Sequence, residues 1–231
     1  MAADQDKLPQ SLRKLGKSLK RVLHSSSPEN IHQLRTRSRS LEAVLHALQL
    51  EDKPRARRLL KTVVSLRRKA GKVRDMDVLI GFASKLATPG QNDALVQLLD
   101  CLGTRRKKAA RKLHASLARR IKVARRQLKQ CRPLLQANGA DFAEQQAKAT
   151  SAASHLSAEL ASWPRLTRAN LHPYRLKVKG LRYTLLAIED SDTELIDSLG
   201  EVTNAIGEWH DWSELLAIAT GPLKNMQPSG I

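Results

Sequence analysis

Aromatic side chains are scarce: two Phe, two Tyr and three Trp, or 3% of 231 residues. That argues against the stacking platforms on which proteins hold single-stranded nucleic acid. Two cysteines, Cys101 and Cys131, match no metal-ligand spacing and no disulfide framework, so they read as reduced thiols in a cytoplasmic protein. No apolar run approaches the length of a membrane span. The start, "MAADQDKLPQ", lacks the basic segment and apolar core of a secretory signal. The sequence is therefore expected to be soluble, with no membrane partner. Alternating β-branched or aromatic residues bounded by turn pairs are nearly missing, which leaves little material for a sheet. A Gly-rich phosphate loop, a nucleophile elbow and a zinc cluster are missing too, so no cofactor, no metal and no catalytic residue is expected.

Acidic residues are outnumbered, 22 against 41 Lys and Arg, for a net charge of +19 and a pI near 10.5. So strong an imbalance predicts a polyanionic partner more than it predicts any fold. Residues 105–132 hold thirteen Lys and Arg and no acid, around an apolar stripe of Leu113, Leu117, Ile121, Ala124 and Leu128. Whether Arg111, His114 and Arg125 of that stretch face a shared cavity or solvent stays open. The segment "EDSDTELIDSLGE", 189–201, carries only acidic charges.

Helix formers dominate, punctuated at Pro28, Pro54, Pro89–Gly90, Asn138–Gly139, Pro164 and Pro173. The pattern predicts an all-α chain with helices at about 7–24, 29–49, 54–70, 74–87, 91–132, 141–161, 170–189, 192–206 and 211–219. The final "GPLKNMQPSGI" reads as a frayed tail.

Two blocks repeat. "IHQLRTRSRSLEAVL" (31–45) and "LHPYRLKVKGLRYTL" (171–185) share the pattern apolar-His-x-x-Arg-x-basic-x-basic-x-Leu at an offset of 140. "LRRKAGKVRDMDVL" (66–79) and "VTNAIGEWHDWSEL" (202–215) match at an offset of 136, aligning Gly71 with Gly207, Arg74 with His210 and Asp75 with Asp211. Two matched blocks in the same order indicate an internal duplication.

At about 100° per residue, His32, Arg35 and Arg39 share one side of a helix, and Leu34, Leu41, Leu45 and Leu48 share the other. His172, Arg175, Lys179 and Arg182 likewise oppose Leu181, Leu185 and Ile188. A cationic helix face is ordinarily a solvated surface. A histidine adds little to solubility, however, and with arginines at i+3 and i+7 it offers several donors to one anion. Phosphate suits such a face, because Arg can bind its oxygens through two parallel hydrogen bonds. Arg37 and Lys177 project close to the apolar stripes, where they either reach a polar edge or are buried with a carboxylate partner. Together with Arg74 they complete the candidate anion-binding set. Asp75 and Asp211 each follow a Gly-x-x-basic turn and read as helix N-caps, the latter with Glu214 at capping-box spacing.

These blocks resemble the CHAD family, the conserved histidine α-helical domain. The matching elements are "IHQLRTRSRSLEAVL", "GKVRD" with the following "D" and "VL", "LHPYRLKVKGLRY" and "GEWHD", from about residue 29 to 216. The resemblance implies two four-helix-bundle halves about a pseudo-twofold axis, around a basic central cavity. The halves would be residues 1–135, which include the long basic helix 91–132, and 136–220, followed by a flexible tail at 221–231. It also implies binding of inorganic polyphosphate without catalysis, through His32, Arg35, Arg39, His172, Arg175, Lys179 and Arg182, and a location at polyphosphate granules. Glu42 stands where first blocks of the family usually carry arginine, and Ser40 and Gly180 replace residues that are commonly basic. Two other readings compete. One is a nucleic-acid-binding protein driven by charge. The other is a metal-dependent phosphohydrolase built around His210–Asp211, for which Arg74 in the first repeat is unsuited because arginine cannot ligate metal.

Overall fold

The computed structural model describes residues 7–86, 93–135, 140–186, 188 and 191–220. Among these there are seven α-helices, one short 3-10 turn at Arg132–Leu134 and no strand. The helices are α1 (Lys7–His24), α2 (Pro28–Ala47), α3 (Pro54–Lys85), α4 (Asp93–Cys131), α5 (Ala140–Ala161), α6 (Leu171–Leu185) and α7 (Thr193–Thr220). The turns expected at Pro89–Gly90 and Asn138–Gly139, the boundary at 135/136 and the tail 221–231 lie outside the described residues.

Local chemistry sets α2 well. The Ser27 side chain accepts from the Asn30 N–H, Pro28 occupies the first turn and Glu29 adds a favourable charge there. Ile31, Leu34, Ser38, Leu41 and Leu45 recur at helical spacing and are buried. The helix ends where Gln49 takes a left-handed φ of 53°, with the Leu50 N–H bonding back to the Leu45 carbonyl at 2.8 Å.

Two predicted breaks are not there. Residues 54–85 form one helix and so do 193–220, so Asp75 and Asp211 sit inside helices and cap nothing. The signal that suggested turns was Gly71 and Gly207. A glycine inside a helix costs only about 1 kcal/mol, and tertiary contacts outweigh that.

α1, α2, α3 and α4 pack in a closed ring, α1 on α2, α2 on α3, α3 on α4 and α4 on α1. Its core joins Leu15, Leu19, Leu34, Leu45, Leu59, Leu66, Leu113 and Leu117. At about 25 cal/mol per Å² of apolar area, burial of this many leucines is the main stabilising term. The second group has three helices among the described residues, not four: α5 on α6 and α6 on α7. α2 packs on α6 and on α5, and the far end of α3 packs on α7 through Leu79, Ala83 and Leu215. The α2–α6 contact brings the two repeated His/Arg helices face to face.

Candidate functional site

On α2 the apolar positions anchor one side in the ring of four helices, so His32, Arg35 and Arg39 must face away from it. On α6 the buried Val178, Leu181 and Thr184 do the same for His172, Arg175 and Lys179. Because α2 and α6 pack together, the two cationic sides converge.

Arg35 is held in place by its own half. Its guanidinium donates to the Gly71 carbonyl at 3.1 Å and to Asp75 Oδ1 at 2.9 Å. Arg175 repeats the arrangement: its Nε donates to the Thr203 carbonyl at 3.0 Å, and its guanidinium lies against Gly207. A methyl group on Gly207 would come within 2.1 Å of that guanidinium, so any larger residue there would displace the end of the Arg175 side chain. At Gly71 the corresponding gap to Arg35 is 3.8 Å, an ordinary contact. The repeated glycines are therefore seats for the repeated arginines. Arg182 donates to the Ile196 carbonyl at 3.1 Å and crosses Gly200.

The groups of both halves act on one another electrostatically. Burial lowers the Lys179 pKa to about 7, helped by Arg175, Arg39 and Arg35 and opposed by Asp211. Burial lowers His32 as well, with Arg74, Arg35 and Lys179 adding to it and Glu29 opposing. His172 is lowered by burial, then by His210, Arg175, Arg39 and Lys179. Arg39 is lowered by burial, Arg67 and Arg35. Burial raises the Asp211 carboxyl, and Asp75 of the other half pushes it the same way against the pull of Arg175 and His210. Asp75 and Asp211, and with them the two arginine seats, thus approach each other from opposite halves. Around them stand Arg35, Arg39, Arg74, Arg175 and Lys179, more cations than the two carboxylates can neutralise. Among the described residues, neither Arg39 nor Lys179 has a carboxylate within ion-pair distance. A cavity of about 400 Å³ opens beside them between α2, α5 and α6, lined also by His46, His155 and Tyr183.

Other candidates are placed elsewhere. Arg37 turns to α1, donating to the Lys14 carbonyl at 3.0 Å and to the Ser18 hydroxyl, and Lys177 pairs with Glu159 on α5. Both tie neighbouring helices together: Arg37 reaches a polar edge without a carboxylate, and Lys177 finds a carboxylate but stays half-exposed. Glu42 pairs with Arg67 at 2.8 Å, so this half spends a carboxylate on an arginine that bears on Arg39. Arg67 was missed because its role depends on a contact between α3 and α2 that no local pattern reveals. Arg111, His114 and Arg125 are exposed on α4, which packs mainly on α3 and α1. A larger cavity, about 730 Å³, lies on that side between α3 and α4, with Arg57, Lys61, Arg68, Lys69, Lys72 and Lys112 in its walls.

His210, Asp211 and Glu214 offer ligand atoms within 4.8 Å of one another, the spacing a divalent cation would need. Val78 stands at the first-half position of Glu214 and Arg74 at that of His210, so this trio has no counterpart there. The His172 and His210 rings are 6.1 Å apart, and Arg175 crowds Asp211. Surroundings so cationic suit an anion better than a metal ion.

The chain matches the CHAD domain family over residues 8–220. Its fold is similar to the crystal structure of the CHAD domain from the plant Ricinus communis, with a TM-score of 0.68 at 20% identity, over 97% of this chain and 79% of that one. No curated protein matches it. The paired blocks, the all-helical architecture and a family match over nearly the full length agree: this chain belongs to the CHAD domain family.

Proposed function

We propose that this protein binds inorganic polyphosphate, without chemical turnover, at the cationic cluster between α2 and α6, and that residues 29–87 and 168–219 form two halves related by a near-twofold rotation. The observation that carries the reading is the convergence of Arg35, Arg39, Arg175 and Lys179 on a half-buried patch where the lysine is driven to a pKa of about 7 by burial and its cationic neighbours. An anion bound there would stabilise the charged form of the lysine. A phosphate chain supplies many oxygens along a line, and guanidinium groups held at fixed angles by Gly71, Asp75 and Thr203 are pre-organised to donate to them. Nothing in the cluster resembles a nucleophile paired with a base, which supports binding over turnover.

Nucleic acid is the second reading, favoured by the exposed cations of α4. Trp212 packs on Phe82, and Trp163 on Tyr174, so these rings are engaged in the fold and are poorly placed to stack on bases. The test is competition between long-chain polyphosphate and duplex DNA of matched total charge, at the same salt. Preferential retention of polyphosphate supports the proposal, whereas equal or weaker retention favours nucleic acid. A phosphate-release assay with added divalent metal tests turnover.

A further inference from the structure

The offset of 136 that aligns α3 with α7 places Leu195 on Leu59, Val202 on Leu66, Trp209 on Val73 and Leu216 on Ile80. On α3, Leu59, Leu66 and Val73 are 0%, 1% and 0% exposed, in the core that α4 completes. On α7 Leu195, Val202 and Trp209 are 42%, 39% and 40% exposed, and Leu216, whose counterpart Ile80 is half-buried, is 65% exposed. The stripe that α3 buries, α7 leaves in solvent. Its members recur every seven residues over about 31 Å of helix, the seam a packed partner helix requires. Glu194, Glu201 and Glu208, each one residue before a member of the stripe, are exposed along its border, whereas α3 carries Arg58, Ser65 and Lys72 at those places.

We propose that the α7 stripe is a docking surface for a basic amphipathic helix of another polypeptide, seated on α7 as α4 is seated on α3. Charge selects the occupant. An antiparallel pairing of α7 with α7 of a second copy would set the three glutamates against their own kind. A partner helix with Lys or Arg flanking its apolar seam would meet them with opposite charge. The surface already holds a cation: the Arg168 guanidinium rests 5.8 Å from the centre of the Trp209 ring.

A synthetic peptide of residues 105–132, with Cys131→Ser, has the required character and serves as the probe: an apolar residue at every third or fourth place, thirteen Lys and Arg, and no acid. Titrated into the full chain at low salt, it should bind with a blue shift of tryptophan emission. The Val202→Asp/Leu216→Asp variant should weaken binding at least about tenfold, since burial of a charge replaces burial of a side chain. Glu194→Lys/Glu201→Lys/Glu208→Lys, which keeps the stripe, should weaken it by about tenfold as well. Circular dichroism and melting of each variant would show that the fold persists, as expected for exposed positions. No binding at peptide concentrations on the order of 100 μM, or binding unaffected by either variant, would overturn the proposal. So would self-association of the chain that Val202→Asp/Leu216→Asp abolishes, since the occupant would then be a second copy.

Discussion

Among the described residues, Arg39 and Lys179 hold positive charge in a partly buried place without a carboxylate within ion-pair distance, and burial of such charge disfavours the folded state. Lys179 is the clearer case, because its folded pKa of about 7 lies below the ordinary value of 10.5. Between those two values the unfolded chain binds the proton and the folded chain does not. The contribution of this group to stability therefore rises with pH across that window, and its penalty is present in full below it. A bound polyanion reverses the balance by restoring the proton. Polyphosphate affinity should consequently be highest below pH 7 and decline as pH rises through it. Replacing both residues, Arg39→Met and Lys179→Met, should lower affinity at least about tenfold while the melting temperature of the free protein holds or rises. It should also flatten the pH profile near neutrality. Loss of affinity with a matching loss of stability would mean that the pair supports the fold and not the ligand. The glycine beneath Arg175 makes a separate point at this scale. Gly207→Ala should displace the Arg175 guanidinium and its bond to the Thr203 carbonyl, which offsets the about 1 kcal/mol that alanine gains over glycine inside a helix. Gly71→Ala, with 3.8 Å of clearance, should be tolerated. Chemical denaturation of the two variants decides.

Helices are where the sequence was most readable. The extents of α1, α2, α4 and α6 follow from capping residues, prolines and apolar spacing within a few residues. The errors have one cause. Glycine was read as local punctuation at 71 and 207, and both glycines proved to be docking seats inside continuous helices, a role visible only when α2 meets α3 and α6 meets α7. Arg37 and Lys177 show the same limit. Their nearness to the apolar stripe was legible, but the Lys14 carbonyl, Ser18 and Glu159 that hold them lie on other helices. The cationic faces of α2 and α6 were legible because their chemistry repeats, and a repeat carries information about tertiary contact that one helix does not. The end of α2 supplies a prediction of its own. Gln49 adopts a left-handed φ of 53° and is exposed, in a place that glycine usually fills. Gln49→Gly should raise stability by about 0.5–1 kcal/mol, measured by denaturant midpoint, with no change in ligand affinity because the side chain lies outside the cluster.

Net charge and the cationic cluster make different claims about the whole molecule, and salt separates them. Counterions released from a polyanion set the slope of log affinity against log salt, at about 0.7–0.9 per neutralised charge. If polyphosphate lies in the cluster, that slope counts the cations of α2 and α6 and ignores those of α4. The Arg39→Met/Lys179→Met variant should then lose about 1–2 units of slope. Arg119→Ala/Arg120→Ala removes two exposed cations from α4, and its slope should stay within about 0.5 of the parent. Duplex DNA has to lie along a broad surface, so the α4 variant should matter more for it, and the cluster variant less. If the two variants reduced the polyphosphate slope equally, binding would follow the total of +19, and the meeting of α2 with α6 would have no part in recognition. A loss confined to the cluster variant would instead show that duplication, by setting two cationic helices against each other, built a site out of faces that singly would be no more than solvated surface.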